Sequence, residues 1–190
     1  MNNMVSRHTL SVLVENSAGV LSQVSRLFSR KGYNIESLAV GTTDDPEVSR
    51  ITIEVTSDDL MIEQIINQLR KLFPVHSVKE LVADHSIRRE LVLIKVKAES
   101  REVRNEVIQI ANIFRATIID VSTKTLTLAI IGQESKDDAL EKLLAEFGIL
   151  ELVRTGMVAL ERGAYTISDE NGPGRKLSVK RSESNDSVYL

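Results

Sequence analysis

Glu15-Asn16-Ser17-Ala18-Gly19-Val20-Leu21 is where one periodicity gives way to another. Before it, Thr9 to Val14 alternates Leu10, Val12 and Val14 with smaller or polar residues, the spacing of a strand with one buried face. After it, Val20, Val24, Leu27 and Phe28 fall on one stripe of a helix. Asn16 can hydrogen-bond locally, and Gly19 permits close backbone approach. The first amides of a helix lack intrahelical partners and carry the positive end of its dipole, so a small carboxylate would be stabilised at such a turn. An Asx-capped turn that binds nothing uses the same residues, so the rest of the chain has to decide.

Working outward, the helix is expected from about Ala18 to Lys31, with Arg30 and Lys31 near its C-terminal end, where cations suit the dipole, and Gly32 as its stop. Tyr33 to Thr42 reads as a strand through Ile35, Leu38 and Val40, and Gly41-Thr42-Thr43-Asp44-Asp45-Pro46 as a turn. In Val48 to Thr56, Ile51, Ile53 and Val55 alternate with Arg50, Thr52 and Glu54, which predicts a half-buried strand with one wet face. Ser57-Asp58-Asp59 supplies caps for a second helix whose apolar face is Ile62, Ile65, Ile66, Leu69, Leu72 and Phe73, ended by Pro74. Val75 to Val82 is the fourth strand. Strand, helix, strand, strand, helix, strand is the ferredoxin-like order, a four-stranded antiparallel sheet with both helices on one face.

After the polar bridge Ala83-Asp84-His85-Ser86 the same order begins again. Leu91 to Val96 is an apolar strand, and Arg101 to Phe114 a helix with Val103, Val107, Ile110, Ala111 and Phe114 on one face. Thr117 to Ser122 and Leu126 to Ile131 form a hairpin. Ser135-Lys136-Asp137-Asp138 reads as a capping box for a helix that carries Leu140, Leu143, Leu144 and Phe147 and stops at Gly148; Ile149 to Leu160 is then extended. The fold class is therefore α+β: two ferredoxin-like βαββαβ units, at residues 8–82 and 87–163, each an antiparallel sheet with helices on one face. The second unit has Glu99-Ser100-Arg101-Glu102 where the first has its Asn-x-x-Gly turn, so any small-ligand site is assigned to the first. Beyond Gly163 the apolar pattern collapses, and residues 164–190 are expected to be a disordered tail, with a partner-binding segment as the alternative.

Composition removes several functions. The 190 residues are 42% hydrophobic, enough for packed cores, and 24 basic against 27 acidic residues give a net charge of −3. That balance offers no footprint for nucleic acid and no polybasic membrane patch. With no cysteine there is no disulfide and no thiolate metal or redox site. Met1 to His8 carries Arg7 but no apolar signal region, and no run approaches the roughly 18 residues that span a bilayer, so the expected location is cytoplasm. His8, His76 and His85 have no metal-ligand spacing, and Asp44 and Asp45 sit in a turn that explains them without acid–base work. No Walker loop or Rossmann fingerprint is present. RNA-recognition modules share the topology but stack bases on strand aromatics, and Ser49 to Val55 has none. Small acyl-phosphate hydrolases share it too, yet Glu15 to Leu21 lacks the arginine they need.

Leu13 to Leu21, the run Leu27-Phe28-Ser29-Arg30-Lys31-Gly32-Tyr33-Asn34-Ile35-Glu36-Ser37-Leu38, and Asp44-Asp45-Pro46 before Ser49-Arg50 resemble the ACT domain of the small, regulatory subunit of acetolactate synthase. Phe114-Arg115-Ala116 with Ile118 to Val121, and Arg154-Thr155-Gly156 before Arg162-Gly163, resemble the C-terminal half of that subunit, so the likeness covers roughly Arg7 to Gly163. The resemblance implies a chain without a catalytic site of its own. It would bind the large catalytic subunit, which is expected to hold thiamine diphosphate, Mg and FAD, raise its activity, and confer feedback inhibition by valine or another branched-chain amino acid. The family is understood to bind the amino acid between two ACT domains of a homodimer. Carried over, the site is Asn16, Gly19, Val20, Leu21 and Ser22 at the helix start, with Asn34 and Ile35 contributed by the partner chain. Amides near Gly19 to Leu21 would take the carboxylate, Asn16 and Asn34 oxygens would accept from the ammonium, and aliphatic neighbours would hold the branched side chain. Many ACT domains carry proline before the glycine, where this chain has Ala18. The alternative is a free-standing ACT-type amino-acid sensor acting on another enzyme or regulator; no helix-turn-helix or basic patch marks a DNA-binding version of it.

Overall fold

The computed structural model describes residues 5–169. Four strands, β1 (Ser6–Glu15), β2 (Ser37–Thr42), β3 (Val48–Ser57) and β4 (Val75–Leu81), form an antiparallel sheet in the order β2-β3-β1-β4. Helices α1 (Val20–Lys31) and α2 (Asp59–Leu69) cover one face. A short 3-10 turn at Ala83–His85 leads to the second unit: β5 (Ser86–Lys97), α3 (Arg101–Phe114), β6 (Thr117–Val121), β7 (Thr125–Gly132), α4 (Glu134–Leu144), β8 (Ile149–Arg154) and β9 (Val158–Glu161). Its strands run β6-β7-β5-β8, the same order, and β9 pairs with the first four residues of β5. The α+β reading with two ferredoxin-like units is thus the observed architecture.

Periodicity accounts for both cores. Leu10, Val12 and Val14 of β1 meet Ile51, Ile53 and Val55 of β3 beneath Val20, Val24, Leu27 and Phe28 of α1 and Ile62, Ile65, Ile66 and Leu69 of α2. In the second unit Val92, Ile94 and Val96 pack with Leu126, Leu128 and Ile130 under Val107, Ala111, Leu140 and Leu144. Asp58 caps α2 by accepting from the Met61 amide, and Ser100 caps α3 by accepting from Val103.

Several elements depart from the sequence reading. Helix α1 begins at Val20, because Gly19 takes the left-handed conformation (φ 88°) as its N-cap. A Cβ on Gly19 would meet nothing within 4 Å, so backbone conformation rather than close approach is what the glycine provides. Strand β2 begins only at Ser37: Tyr33 to Ile35 carry the chain from the helix layer back to the sheet, and Glu36 reaches β3 through one bond, its amide donating to Glu54 O at 2.9 Å. Helix α2 ends at Leu69, and Phe73, assigned to its apolar face, lies on the following turn 93% exposed. The capping box fails as well. Gln133 is the N-cap of α4, without a side-chain bond, and Asp137 points inward. The extended stretch from Ile149 is two strands broken at Gly156 (φ 79°).

The largest departure is the face of β3 expected to be wet. Thr52 and Glu54 are buried, as are Thr9 and Ser11 beside them on β1, because the second unit lies across this face. Strand β9 rests on β1 and β4 with its Ala159 and Glu161 buried, as is Met157 just before it. The buried Lys79 of β4 donates to Glu161 at 2.7 Å and to the carbonyls of Thr166 and Asp169 at 3.2 and 3.1 Å. Ile167 is buried too, so the opening of the expected tail is pinned to the first sheet. Its remainder, residues 170–190, falls outside the described residues.

Candidate functional site

The β1–α1 turn is held from the side. Asn16 donates its backbone amide to Glu47 O (2.7 Å) and its Nδ2 to Pro46 O (2.8 Å), while its Oδ1 accepts from Ser49 Oγ (3.1 Å). The side chain expected to cap the helix thus ties the turn to the β2–β3 hairpin. Its oxygen keeps a second lone pair for another donor. No side chain caps α1, and the first-turn amides of Leu21 and Ser22 have no intrahelical acceptor. Both residues are exposed, so these amides stand beside open solvent at the positive end of the helix. Val20 contributes backbone only, since its side chain is 4% exposed and belongs to the core.

Asn34 and Ile35 lie elsewhere. They sit beyond the other end of α1, a helix of 12 residues that spans about 18 Å. Asn34 is exposed and its Nδ2 donates to Glu36 Oε1 at 2.9 Å, which leaves the amide oxygen as its acceptor. Ile35 is half-buried against the first core. One chain therefore brings Asn16, Gly19, Leu21 and Ser22 together and leaves Asn34 and Ile35 at the opposite end of the sheet. Between the two ends runs β2, an edge strand that pairs with β3 alone.

Sequence reasoning missed the seam between the units. Arg7 of β1 meets Glu134 of α4 and, at 2.9 Å, Glu54 of β3. Beside the seam, and wholly within the second unit, Arg154 of β8 gathers Glu90, Asp138 and Glu141 at 2.6 to 2.7 Å. Burial alone would lower the Arg154 guanidinium, but the bonds to Glu141 and Asp138 and the charge of Glu90 outweigh it and hold the group raised. The Met157 amide donates to Ser37 Oγ at 2.9 Å, at the first residue of β2. These groups border a polar cavity of about 540 Å³ that opens beside Glu36, Ser37 and Gly156. No periodicity marks such contacts, because each joins residues distant in sequence. Of the histidines, His8 lies between Glu80 (2.6 Å) and the Ser57 carbonyl (3.1 Å), a packing role. Among the described residues no helix is long and apolar enough to cross a membrane.

Residues 10–77 match the family described as the AHAS small subunit-like ACT domain, and residues 89–163 the family described as the small subunit of acetolactate synthase. The chain belongs to the acetolactate synthase small-subunit family. Relatives in that family include the acetolactate synthase small subunit of Mycolicibacterium smegmatis, 47% identical over 163 residues that are 86% of this chain and 95% of the relative. A probable acetolactate synthase small subunit of Archaeoglobus fulgidus is 48% identical over 157 residues, 83% of this chain and 98% of the relative. Among solved structures, the small subunit from Thermotoga maritima superposes with a TM-score of 0.78 at 40% identity, covering 84% of this chain and 99% of that one. As a small subunit the chain carries its ACT domain in the first unit, which is also the unit that holds the open helix start.

Proposed function

We propose that this chain joins the thiamine-diphosphate-dependent catalytic subunit of acetolactate synthase, raises its activity, and makes it sensitive to valine or another branched-chain amino acid. The observation that carries the effector site is the uncapped start of α1, where the Leu21 and Ser22 amides face solvent beside the anchored Asn16. The small-subunit family supports the partner, on which thiamine diphosphate, Mg and FAD would reside, and a cytoplasmic setting suits such an assembly.

The separation of the two half-sites supports a homodimer. If two copies pair antiparallel along their free β2 edges, the Asn34–Ile35 arm of one comes beside the Asn16–Ser22 turn of the other. A ligand there would take its carboxylate on the helix amides and offer its ammonium to the Asn34 and Asn16 oxygens, with Leu21 and Ile35 against the branched side chain. In this reading residues 8–82 are the ACT domain that holds effector and dimer contacts, and 87–163 are the C-terminal ferredoxin-like domain of the small subunit.

Gly19→Asp tests the site. It sets a carboxylate where the ligand's carboxylate should rest, in a backbone conformation that Asp adopts more readily than most residues. In acetolactate synthase reconstituted from both subunits, the variant is expected to activate the catalytic subunit normally and to lose valine inhibition by more than about tenfold, a coupling loss of about 1.4 kcal/mol. Unchanged inhibition would reject the site, and failure of the wild-type chain to bind or activate the catalytic subunit would reject the regulatory role.

A further inference from the structure

The geometry points to the turn Thr155-Gly156-Met157 as the contact through which the second unit reads the Asn34–Glu36 arm, and so as the element that carries effector occupancy out of the first unit. This rests on the effector-site reading above.

The arm is short and firmly tied to β2. Asn34 Nδ2 donates to the Glu36 carboxylate at 2.9 Å, the Glu36 amide donates to Glu54 O at 2.9 Å, and Ser37 opens the strand three residues after Asn34. Against this point sits Gly156, at φ 79°. A Cβ there would lie 2.9 Å from Ser37 Oγ and 3.0 Å from the Leu38 carbonyl oxygen, so both the backbone conformation and the space require glycine. Met157 is 5% exposed and donates its amide to Ser37 Oγ.

The far side of the turn is equally fixed. Thr155 donates its amide to Leu91 O, and its Oγ1 accepts from the Leu91 amide, both at 3.1 Å, which locks the turn to β5. The adjoining Arg154 binds Asp138 and Glu141 of α4. A shift of the arm when a ligand engages Asn34 must therefore break the Ser37–Met157 bond or carry β5 and α4 with it. Close-packed elements respond to such a shift by changing arrangement rather than deforming smoothly. The Arg7–Glu134 pair also joins the units and reaches the arm only through the charge of Arg7 on Glu36, with no hydrogen bond to it, so Glu134→Gln, which keeps that charge, separates coupling from mere adhesion between units.

The test uses the full chain with its catalytic subunit and reads two quantities, valine binding to the small subunit by calorimetry and valine inhibition of acetolactate formation. Ser37→Ala removes the acceptor while keeping the packing, Gly156→Ala forces the turn apart, and Glu134→Gln is the control; thermal unfolding verifies that each is folded. For Ser37→Ala and Gly156→Ala, the expected result is valine binding within about threefold of wild type and an inhibition midpoint raised by more than about tenfold. Glu134→Gln should keep both. Inhibition that stays unchanged, that falls only in step with binding, or that is lost equally in Glu134→Gln overturns the role of the turn. A wild-type chain that binds none of valine, leucine or isoleucine rejects the effector site itself, and this inference with it. A wild-type chain that binds and a Ser37→Ala chain that stays coupled reject the turn alone.

Discussion

Asp137 carries a charge where the fold has nothing to answer it. Its side chain is fully buried, neither oxygen has a hydrogen-bond partner, and it packs on Gly132, where a Cβ would lie 2.0 Å from Oδ1. Burial, and next the charge of Glu90, push the carboxyl from its ordinary 3.8 to about 6, against the opposing pull of Arg154 and Lys136. The folded state thus holds the proton more tightly than the unfolded one. Stability falls as pH rises from about 4 to 6 and stays lowered above, by about 2–3 kcal/mol. Asp137→Asn cannot ionise. Its stability relative to wild type should therefore improve by about 2–3 kcal/mol between pH 4 and pH 8, read from urea unfolding at both values. Parallel pH profiles for the two proteins would mean that the carboxyl is solvated in the folded state. Nothing in the sequence distinguished Asp137 from Asp138, which binds Arg154 one residue later; helix phase alone sends one inward and the other to the rim.

At the scale of elements, the alternation of β1, β3, β5 and β7 and the stripes of α1 to α4 were legible, because each reflects a single buried face repeated at a fixed period. Burial by the other unit was not legible. Arg50, Thr52 and Glu54 alternate as a solvated face would, and a polar face under polar partners has the same pattern as one under water. Phe73 misled for the opposite reason: it keeps helical spacing after the helix has ended, and the Leu72–Val75 turn directs it outward. The seam has a specific energetic hinge in Lys79 and Glu161. Lys79→Met leaves Glu161 buried without its cation and is expected to cost about 3–5 kcal/mol. Replacing both, as Lys79→Met with Glu161→Leu, should recover most of that, since a buried pair gives little net gain over apolar packing. Urea unfolding of the single and double variants decides it; equal losses in both would locate the energy in the Thr166 and Asp169 carbonyl contacts instead.

For the whole molecule, half of the candidate site was readable from Asn16 to Ser22, since a strand-to-helix turn with glycine is a local signal. Its second half, Asn34 and Ile35, carries no such local signal: the resemblance named these residues, and the strand-helix-strand order alone sets them at the other end of the sheet. The structure puts the two halves at opposite ends of α1, and this makes a prediction that no single-chain site can satisfy. Gly19→Asp spoils the turn of a chain, and Asn34→Ala spoils its arm. Within one chain each change would disable every site, and mixing the two variants would restore nothing. Across a two-fold dimer, a mixed pair has one site with both defects and one site built from the intact turn of one chain and the intact arm of the other. Random reassociation yields about half mixed dimers, so about a quarter of all sites are expected to be whole. The two variants, unfolded and refolded together and then reconstituted with catalytic subunit, should regain a valine-sensitive fraction of acetolactate synthesis that neither shows alone. If dimers form and the mixture stays insensitive, the turn and the arm do not share a ligand.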